Sequence, residues 1–178
     1  GLADVMRTGC HGFCERGPMV VISPENIFYQ HVSTKDVPNI IDKTILKGEI
    51  VNSLLYVNPQ TDEKYVREDE VPFYKRQTRT VFGMNSKVDP KIIEDYLAMD
   101  GYSALEKALK MQPDDIIKEV KKANLRGRGG GGFPAGIKWE ETRKTKGDPK
   151  YVICNADEGD PGAYMDRSLL EGNPHLVL

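Results

Sequence analysis

Two short apolar runs, "PMVVIS" and "IFYQHV", open the hydrophobic pattern of the chain. Both are rich in β-branched and aromatic residues, and the turn-forming residues 23–26 separate them, so the pattern predicts a β-hairpin. The next stretch, "DVPNIIDKTILKGE", predicts a helix that begins after Asp36 and ends at Gly48. Its predicted apolar face consists of Val37, Ile40, Ile41 and Ile45.

Helical periodicity dominates the chain from residue 89 onward. "VDPKIIEDYLA" and "GYSALEKALKM" predict two helices, whose apolar faces are formed by Ile92, Ile93, Tyr96 and Leu97 and by Tyr102, Leu105 and Leu109. "PDDIIKEVKKANL" predicts a third helix that starts at Pro113 and ends at Gly127. Further on, "IKWEETRK" predicts a short helix, "YVIC" a buried strand, "NADEGDPG" a loop and "MDRSLLEG" a last helix.

The polar, charge-dense stretch "NPQTDEKYVREDE" has no sustained period and predicts a boundary. We therefore expect a small unit over residues 1–57, a linker over 58–88 and a second unit over 89–178. The mixture of strands and helices predicts a chain of the α/β (α+β) class.

Composition narrows the classes of protein that fit. A chain of 178 residues with 39% hydrophobic residues can form a core. Its 25 basic and 27 acidic residues are interspersed, so the net charge of -2 implies no general attraction to nucleic acid or membrane. No apolar run reaches the roughly 18 residues that span a bilayer, and we expect a cytoplasmic protein. Three cysteines without regular spacing argue against a disulfide scaffold.

The segment "RGRGGGGFPAGIKW" contains six glycines and allows three interpretations: a flexible linker, an RGG-type RNA-binding box, or a loop that lets its backbone approach a phosphate-bearing ligand. Gly127, Gly129 and Gly132 match the pattern G-x-G-x-x-G, but a predicted helix precedes them where a Rossmann motif needs a strand. A linker would not lead into Phe133 and Trp139, and an RNA-binding box would repeat the RGG unit.

Together with "NADEGDPGAYMDRSLLEGNPH", this segment resembles the flavin-binding signature of the NADH-oxidising subunit shared by respiratory complex I, NAD-linked hydrogenases and NAD-linked formate dehydrogenases. The resemblance implies that the glycine loop wraps FMN, that NADH stacks on the flavin and that electrons pass to iron-sulfur clusters. It implies an FMN site formed by Gly127, Arg128, Gly129, Gly130, Lys138, Asn155 and Asp157, with Phe133 near the nicotinamide dinucleotide. Gly131 stands where complex I members usually carry alanine, a change expected to be harmless.

Residue chemistry agrees with these assignments. Lys138 offers a positive charge to an anionic group, and Asn155 and Asp157 can bond ribityl hydroxyls or ring edges. The flavin carries the hydride, so no catalytic acid, base or nucleophile is expected from the chain. The carboxylates of Asp157, Glu158 and Asp160 would disfavour a 2′-phosphate and so favour NADH over NADPH, although such a run alone could be a solvated turn. Cys154 is predicted to be a small buried hydrophobe.

Cys10 and Cys14 form a C-x-x-x-C pair in "GCHGFCERGPMVVI". Two thiolates are half of the ligand set that zinc or an iron-sulfur cluster normally takes, so free thiols are the alternative, and His11 is interpreted as a surface residue. The stretch through residue 51 resembles the second half of a thioredoxin-like ferredoxin module, which implies a two-iron two-sulfur cluster with this later cysteine pair as ligands. The earlier pair is absent, so we expect a chain truncated at its start, with the flavin domain continuing past Leu178 and further iron-sulfur clusters lying elsewhere.

The connecting stretch "VPFYKRQTRTVFGMNSKVDP" resembles that of hydrogenase and formate dehydrogenase subunits in which a ferredoxin precedes the flavin domain. The resemblances imply a partial thioredoxin-like ferredoxin module, a helical connector and the start of an FMN- and NADH-binding α/β domain. The expected protein is a β subunit of an NAD-linked hydrogenase or formate dehydrogenase, with NADH and other iron-sulfur subunits of a hetero-oligomeric complex as partners. The alternatives are a complex I flavoprotein subunit and, in a different class, an RGG-type nucleic-acid-binding protein. For the expected oxidoreductase subunit, neither nucleic-acid binding nor membrane insertion is expected.

Overall fold

The computed structural model describes residues 1–178 and divides into two compact units, the first comprising Gly1–Asp95 and Arg167–Leu178 and the second Tyr96–Asp166. The strands are β1 (Val20–Ile22), β2 (Ile27–Tyr29), β3 (Tyr56–Val57) and β4 (Lys64–Tyr65). The α-helices are α1 (Val37–Asn39, continued by a π-helix over Ile40–Ile45), α2 (Pro72–Lys75), α3 (Ile93–Ala98), α4 (Ser103–Leu109), α5 (Pro113–Lys122), α6 (Ala135–Lys144), α7 (Met165–Gly172) and α8 (Pro174–Val177). The predicted mixed α and β class is confirmed.

The predicted hairpin is confirmed, and its second strand lies at the centre of the first unit. Strands β1 and β2 are antiparallel, with Val21 opposite Phe28. On its other edge β2 meets a later part of the chain, because Phe28 N–H donates to Val66 O at 2.8 Å and Gln30 N–H donates to Leu54 O at 2.9 Å. All three residues of β2 are buried, so both of its faces are covered, which explains the continuous apolar run "IFY".

The side chains of β2 alternate between two hydrophobic clusters, as the two-residue period of a strand requires. Ile27 and Tyr29 belong to one cluster, with Val32, Ile40, Val51, Leu54 and Leu55. Phe28 belongs to the other, with Tyr56 and Val71 and with partly buried Phe13, Met19, Val21, Tyr65, Phe73 and Tyr74. One short strand therefore holds both halves of the core together.

The hydroxyl of Tyr29 is bonded twice within the first cluster, to Thr44 Oγ1 at 2.7 Å and from Val51 N–H at 2.9 Å. Tyr29→Phe is expected to lower the free energy of unfolding by about 1–3 kcal/mol, because it leaves two buried groups without a partner. Tyr65→Phe is the control, since the Tyr65 hydroxyl donates to Glu63 at an exposed position. Denaturant unfolding of both variants measures the difference, and equal losses would contradict this role for Tyr29.

The predicted helical face after Asp36 is wrong in part. Ile40 and Thr44 are buried, whereas Val37 and Ile41 are 43% and 48% exposed. The cause is the π-helix, in which Leu46 N–H donates to Ile41 O five residues back. A π turn holds more residues than an α turn, so a face assigned from a period of 3.6 residues is displaced.

The segment predicted as a linker, 58–88, lies within the first unit. It contains β4, α2 and a 3₁₀ turn over Glu68–Glu70, and its residues Val71 and Val88 are 0% and 1% exposed. The few apolar residues that this segment buries have no regular spacing, so the sequence shows no periodic hydrophobic pattern there. The division into domains at 57 and 88 stays a prediction.

The predicted helices of the second unit are confirmed, but their apolar faces are largely uncovered. Tyr96 and Ile117 are its buried hydrophobic residues, at 7% and 8% exposure. Other predicted face positions, among them Leu97, Leu105 and Leu109, are 51%, 49% and 79% exposed. No helix of the chain is long and apolar enough to cross a bilayer.

The prediction of a buried strand at "YVIC" is wrong. Residues 151–154 form no strand, and Tyr151, Val152 and Ile153 are 76%, 101% and 86% exposed. Cys154 is exposed too, which corrects its assignment as a buried hydrophobe. A strand needs a neighbour for its backbone groups, and no backbone hydrogen bond from another segment reaches these residues.

Candidate functional site

The glycine-rich loop is carried by an antiparallel pair of helices, α5 and α6. Arg143 near the end of α6 pairs with Asp114 near the start of α5, and Lys121 Nζ lies 2.8 Å from Glu140 Oε1. Hydrogen bonds from lysine side chains, the largest from Lys121, hold the pKa of Glu140 below its usual value. Gly136 allows α6 to approach α5 closely, because a Cβ at this position would lie 2.6 Å from Lys121 Cγ. The base of the loop is therefore fixed by packing and by charge.

Backbone hydrogen bonds close the loop where it leaves the helices. Gly127 N–H donates to Phe133 O, and Ala135 N–H donates to Leu125 O, both at 2.9 Å. The predicted end of α5 at Gly127 is wrong, because Asn124 already has a left-handed φ of 51°. Asparagine tolerates this conformation and can end a helix as glycine does. Gly127 instead belongs to the closed neck of the loop.

Two of the loop glycines are required by the backbone and two are not. Gly130 and Gly132 have φ values of 105° and 59°, a region that side chains disfavour. Gly129 and Gly131 have no such φ, and a Cβ on either would meet nothing within 4 Å. Nothing in the chain itself explains glycine at 129 or at 131, and the backbone at both positions is open to an outside group.

The two arginines of the loop bond to the loop's own backbone. Arg126 Nε donates to Gly132 O at 2.7 Å, and an Arg128 guanidinium nitrogen donates to Arg126 O. Lys138 on α6 is exposed, and Phe133 is 48% exposed. Lys138 thus provides a cation, and Phe133 an apolar ring, within a few residues of the glycines.

The acidic residues predicted for the site form a turn of their own in the second unit. Asp157 N–H donates to Asn155 Oδ1 at 3.0 Å, which makes an Asx turn. Glu158 Oε1 accepts from Asp166 N–H at 2.8 Å, at the start of α7 where a carboxylate is favourable. No hydrogen bond joins Asn155, Asp157 or Asp160 to the glycine loop. Both loops are therefore present in the second unit, but these three residues make no hydrogen bond to the glycine loop.

Comparison with known proteins places both loops within one family. Residues 120–178 match the family model described as the Nuo51 FMN-binding domain. Over these residues the chain is similar to that FMN-binding family. The FMN-binding segment, as we name residues 120–178, contains every residue predicted for the FMN and dinucleotide sites.

Curated relatives support the same family. The chain is 50% identical over 104 residues to the NADP-reducing hydrogenase subunit HndC of Solidesulfovibrio fructosivorans, which is 58% of this chain and 21% of the relative. It is 54% identical over 86 residues to an NADH-quinone oxidoreductase subunit from Aquifex aeolicus, covering 48% and 20% of the two chains. It is 50% identical over 91 residues to the corresponding NADH-quinone oxidoreductase subunit from Rhizobium meliloti, covering 51% and 22%. The chain thus spans about a fifth of the length of these relatives.

The FMN-binding segment leaves room for a flavin at Gly129, where no side chain covers the backbone. A side chain at Gly129 would occupy the open space, and the exposed amine of Lys138 can face a phosphate. Sequence reasoning assigned no role to Arg126 or Gly132, which hold the loop in shape through their hydrogen bond. Gly132 is the last glycine of the G-x-G-x-x-G pattern, so a signal for it was present, whereas none marked Arg126.

The predicted cluster ligands lie in the cysteine loop, which we define as residues 9–14. Cys10 and Cys14 are exposed free thiols, and Gly12 N–H donates to Cys10 Sγ at 3.3 Å. The interpretation of His11 as a surface residue is wrong, because its side chain is 9% exposed and its Nδ1 lies 2.9 Å from Glu68 Oε1. No three side chains that could bind a metal are grouped in the chain. The loop offers two exposed thiols, which is half the number of ligands that a two-iron two-sulfur cluster takes.

Proposed function

We propose that the chain is part of an oxidoreductase subunit that transfers hydride between NADH and FMN and exchanges electrons with iron-sulfur clusters. The observation that carries this proposal is the open space at Gly129 in a loop of the FMN-binding family. FMN, when bound, supplies the hydride and electron chemistry. The chain's residues bind and orient it, and none of them acts as an acid, base or nucleophile.

The proposed flavin site uses the glycine loop and the turn after residue 154. Its residues are Gly127, Arg128, Gly129, Gly130, Lys138, Asn155 and Asp157, with Phe133 next to the dinucleotide. The bare backbone at Gly129 supports close approach of the ligand, and the exposed Lys138 supports an anionic partner. The nearly half-exposed ring of Phe133 offers an apolar surface to a planar group.

The first unit is proposed to be the later half of a thioredoxin-like ferredoxin module, with Cys10 and Cys14 as ligands of a two-iron two-sulfur cluster. The bond from Gly12 N–H to Cys10 Sγ supports this, since hydrogen bonds to sulfur ligands stabilise and tune such clusters. Domain limits at residues 57 and 88 belong to the same proposal, as does a cytoplasmic location.

The complex to which the chain belongs is proposed to be an NAD-linked hydrogenase or formate dehydrogenase, with complex I as the alternative. A cysteine loop and an FMN-binding segment in one chain support the former. The relative named as an NADP-reducing hydrogenase subunit supports a hydrogenase but not NAD as its cofactor. The relatives named as NADH-quinone oxidoreductase subunits support the latter. Purification of the native complex and identification of its other iron-sulfur subunits would decide between the two.

A flavin spectrum of the purified full-length protein tests the central proposal. Stoichiometric FMN that NADH bleaches under anaerobic conditions is the expected result. Protein that folds and carries no flavin would contradict the proposal.

Pyridine nucleotide preference is expected to depend on Asp160 more than on Glu158, whose carboxylate is bonded to the start of α7. Asp160→Ala is expected to raise kcat/KM for NADPH relative to NADH by about tenfold, through loss of repulsion of the 2′-phosphate. Asp148→Ala is the control, because it removes an equal charge from an exposed loop of the same unit. An unchanged ratio in the Asp160 variant would remove that residue from the specificity argument.

A further inference from the structure

Burial alternates along the cysteine loop. Gly9, His11 and Phe13 are partly buried, whereas Cys10, Gly12 and Cys14 are exposed. We call the partly buried residues Gly9, His11 and Phe13 the inner set. Because they alternate with the exposed residues, the contacts that fix the inner set also fix the positions of the Cys10 and Cys14 thiols.

The inner set is held by one later part of the chain, which we call the anchoring segment, residues 66–85. The first two contacts involve His11. His11 Nδ1 lies 2.9 Å from Glu68 Oε1, with the two side chains only 9% and 19% exposed. Arg79 donates through a guanidinium nitrogen to His11 O at 2.6 Å, and its guanidinium lies over the Tyr74 ring at 5.1 Å.

The neighbouring inner residues are anchored as well. Phe13 stacks on Phe73 with ring centroids 4.1 Å apart and planes inclined by 8°. Gly9 N–H donates to Asn85 O at 2.8 Å, and a Cβ on Gly9 would lie 2.9 Å from the Asn85 side-chain nitrogen. Each inner residue of the cysteine loop therefore has its own partner in the anchoring segment.

We propose that the anchoring segment positions the thiols of Cys10 and Cys14, with Glu68, Phe73 and Arg79 as positioning residues. The inference rests on the proposed ligand role of the two cysteines. A loop ordered in advance loses less conformational freedom when its ligand binds, so it binds more tightly and releases more slowly. The segment after the ferredoxin half is then part of the cluster-binding apparatus.

The test uses Glu68→Ala, Phe73→Leu and Arg79→Gln in the full-length protein. Two neighbours give matched controls. Asp69 lies next to Glu68 but accepts a hydrogen bond from Asn26 instead, so Asp69→Ala removes the same charge without touching the loop. Arg76 is exposed on the same segment, so Arg76→Gln controls for Arg79.

Hydrogen exchange at the Gly9 and Gly12 amides of the metal-free protein is the first measurement, because these amides donate to Asn85 O and Cys10 Sγ. Each positioning variant is expected to exchange about tenfold faster there, with exchange in the β2 core unchanged. The second measurement is iron release to a chelator from the loaded protein, expected to be several-fold faster in the same variants. Both controls should match the wild type.

The outcomes separate this inference from the cysteine assignment. Loop exchange that stays at the wild-type rate in all three variants, or that rises equally in the controls, overturns the positioning role. A protein that never binds iron overturns the ligand role of Cys10 and Cys14, while the exchange data still judge whether the anchoring segment orders the loop. Phe73→Leu keeps a large apolar side chain, so it gives a result even where Glu68→Ala unfolds the protein.

Discussion

Gly129→Val in the full-length protein is expected to lose its flavin, with FMN content falling from about one per chain to below a tenth, while the fold is retained. A side chain at this position meets no atom of the chain within 4 Å, so the substitution does not strain the protein. It would fill space that the proposed FMN must occupy, and the expected fall in occupancy requires an affinity loss of roughly a hundredfold, which corresponds to about 2.8 kcal/mol. Flavin absorbance per protein after gel filtration gives the measurement.

Gly131→Ala provides the matched control in the same loop. Gly131 is equally open and equally free of positive φ, so an alanine Cβ there meets no atom of the chain within 4 Å. This variant should keep its flavin. Gly130 is unsuitable for the comparison, because its φ of 105° makes any side chain strained whether or not a ligand is present. A Gly129→Val protein with full flavin content would show that the loop does not hold FMN.

The 178-residue chain incubated with iron and sulfide is expected to form no stable two-iron two-sulfur cluster. A cluster of this kind takes four protein ligands, and the cysteine loop provides only Cys10 and Cys14. A longer polypeptide with an additional upstream C-x-x-x-x-C pair is expected to form it. Visible spectra, iron content and EPR after reduction distinguish the two.

Single cysteine variants of the longer polypeptide complete that experiment. Cys10→Ser and Cys14→Ser should each reduce cluster content to below roughly a tenth, because the ligand set is no longer complete. Cys154→Ser should keep the cluster, since Cys154 lies outside the proposed ferredoxin module over residues 1–57. A stoichiometric, reducible signal from the short chain would mean that the ligands lie elsewhere and would refute the ferredoxin interpretation.

Local patterns predicted the elements that local interactions determine. The hairpin is confirmed because its two apolar runs and turn suffice to specify it, and α5 because Pro113 and a regular apolar face mark it. Motif resemblance found the FMN-binding segment, since glycine spacing is fixed by the ligand a loop must admit. Each of these signals is contained in a short stretch of neighbouring residues.

Features that depend on distant residues gave no such signal. His11 looked like a surface residue because its partner Glu68 is 57 positions away. The packing of residues 58–88 was missed because isolated residues such as Val71 carry it, without a period. "YVIC" looked like a buried strand because its composition is right for one, but composition does not provide the neighbour that a strand must pair with.

The bare backbone at residues 151–154 has a consequence for the behaviour of the chain at high concentration. Unpaired N–H and C=O groups flanked by exposed Tyr151, Val152 and Ile153 form a ready template for strand pairing with a second molecule. Short β-prone segments without charge or proline are the ones that start intermolecular sheets. The chain on its own is therefore expected to self-associate through this segment, and Val152→Lys is expected to oppose this by placing like charges on adjoining strands.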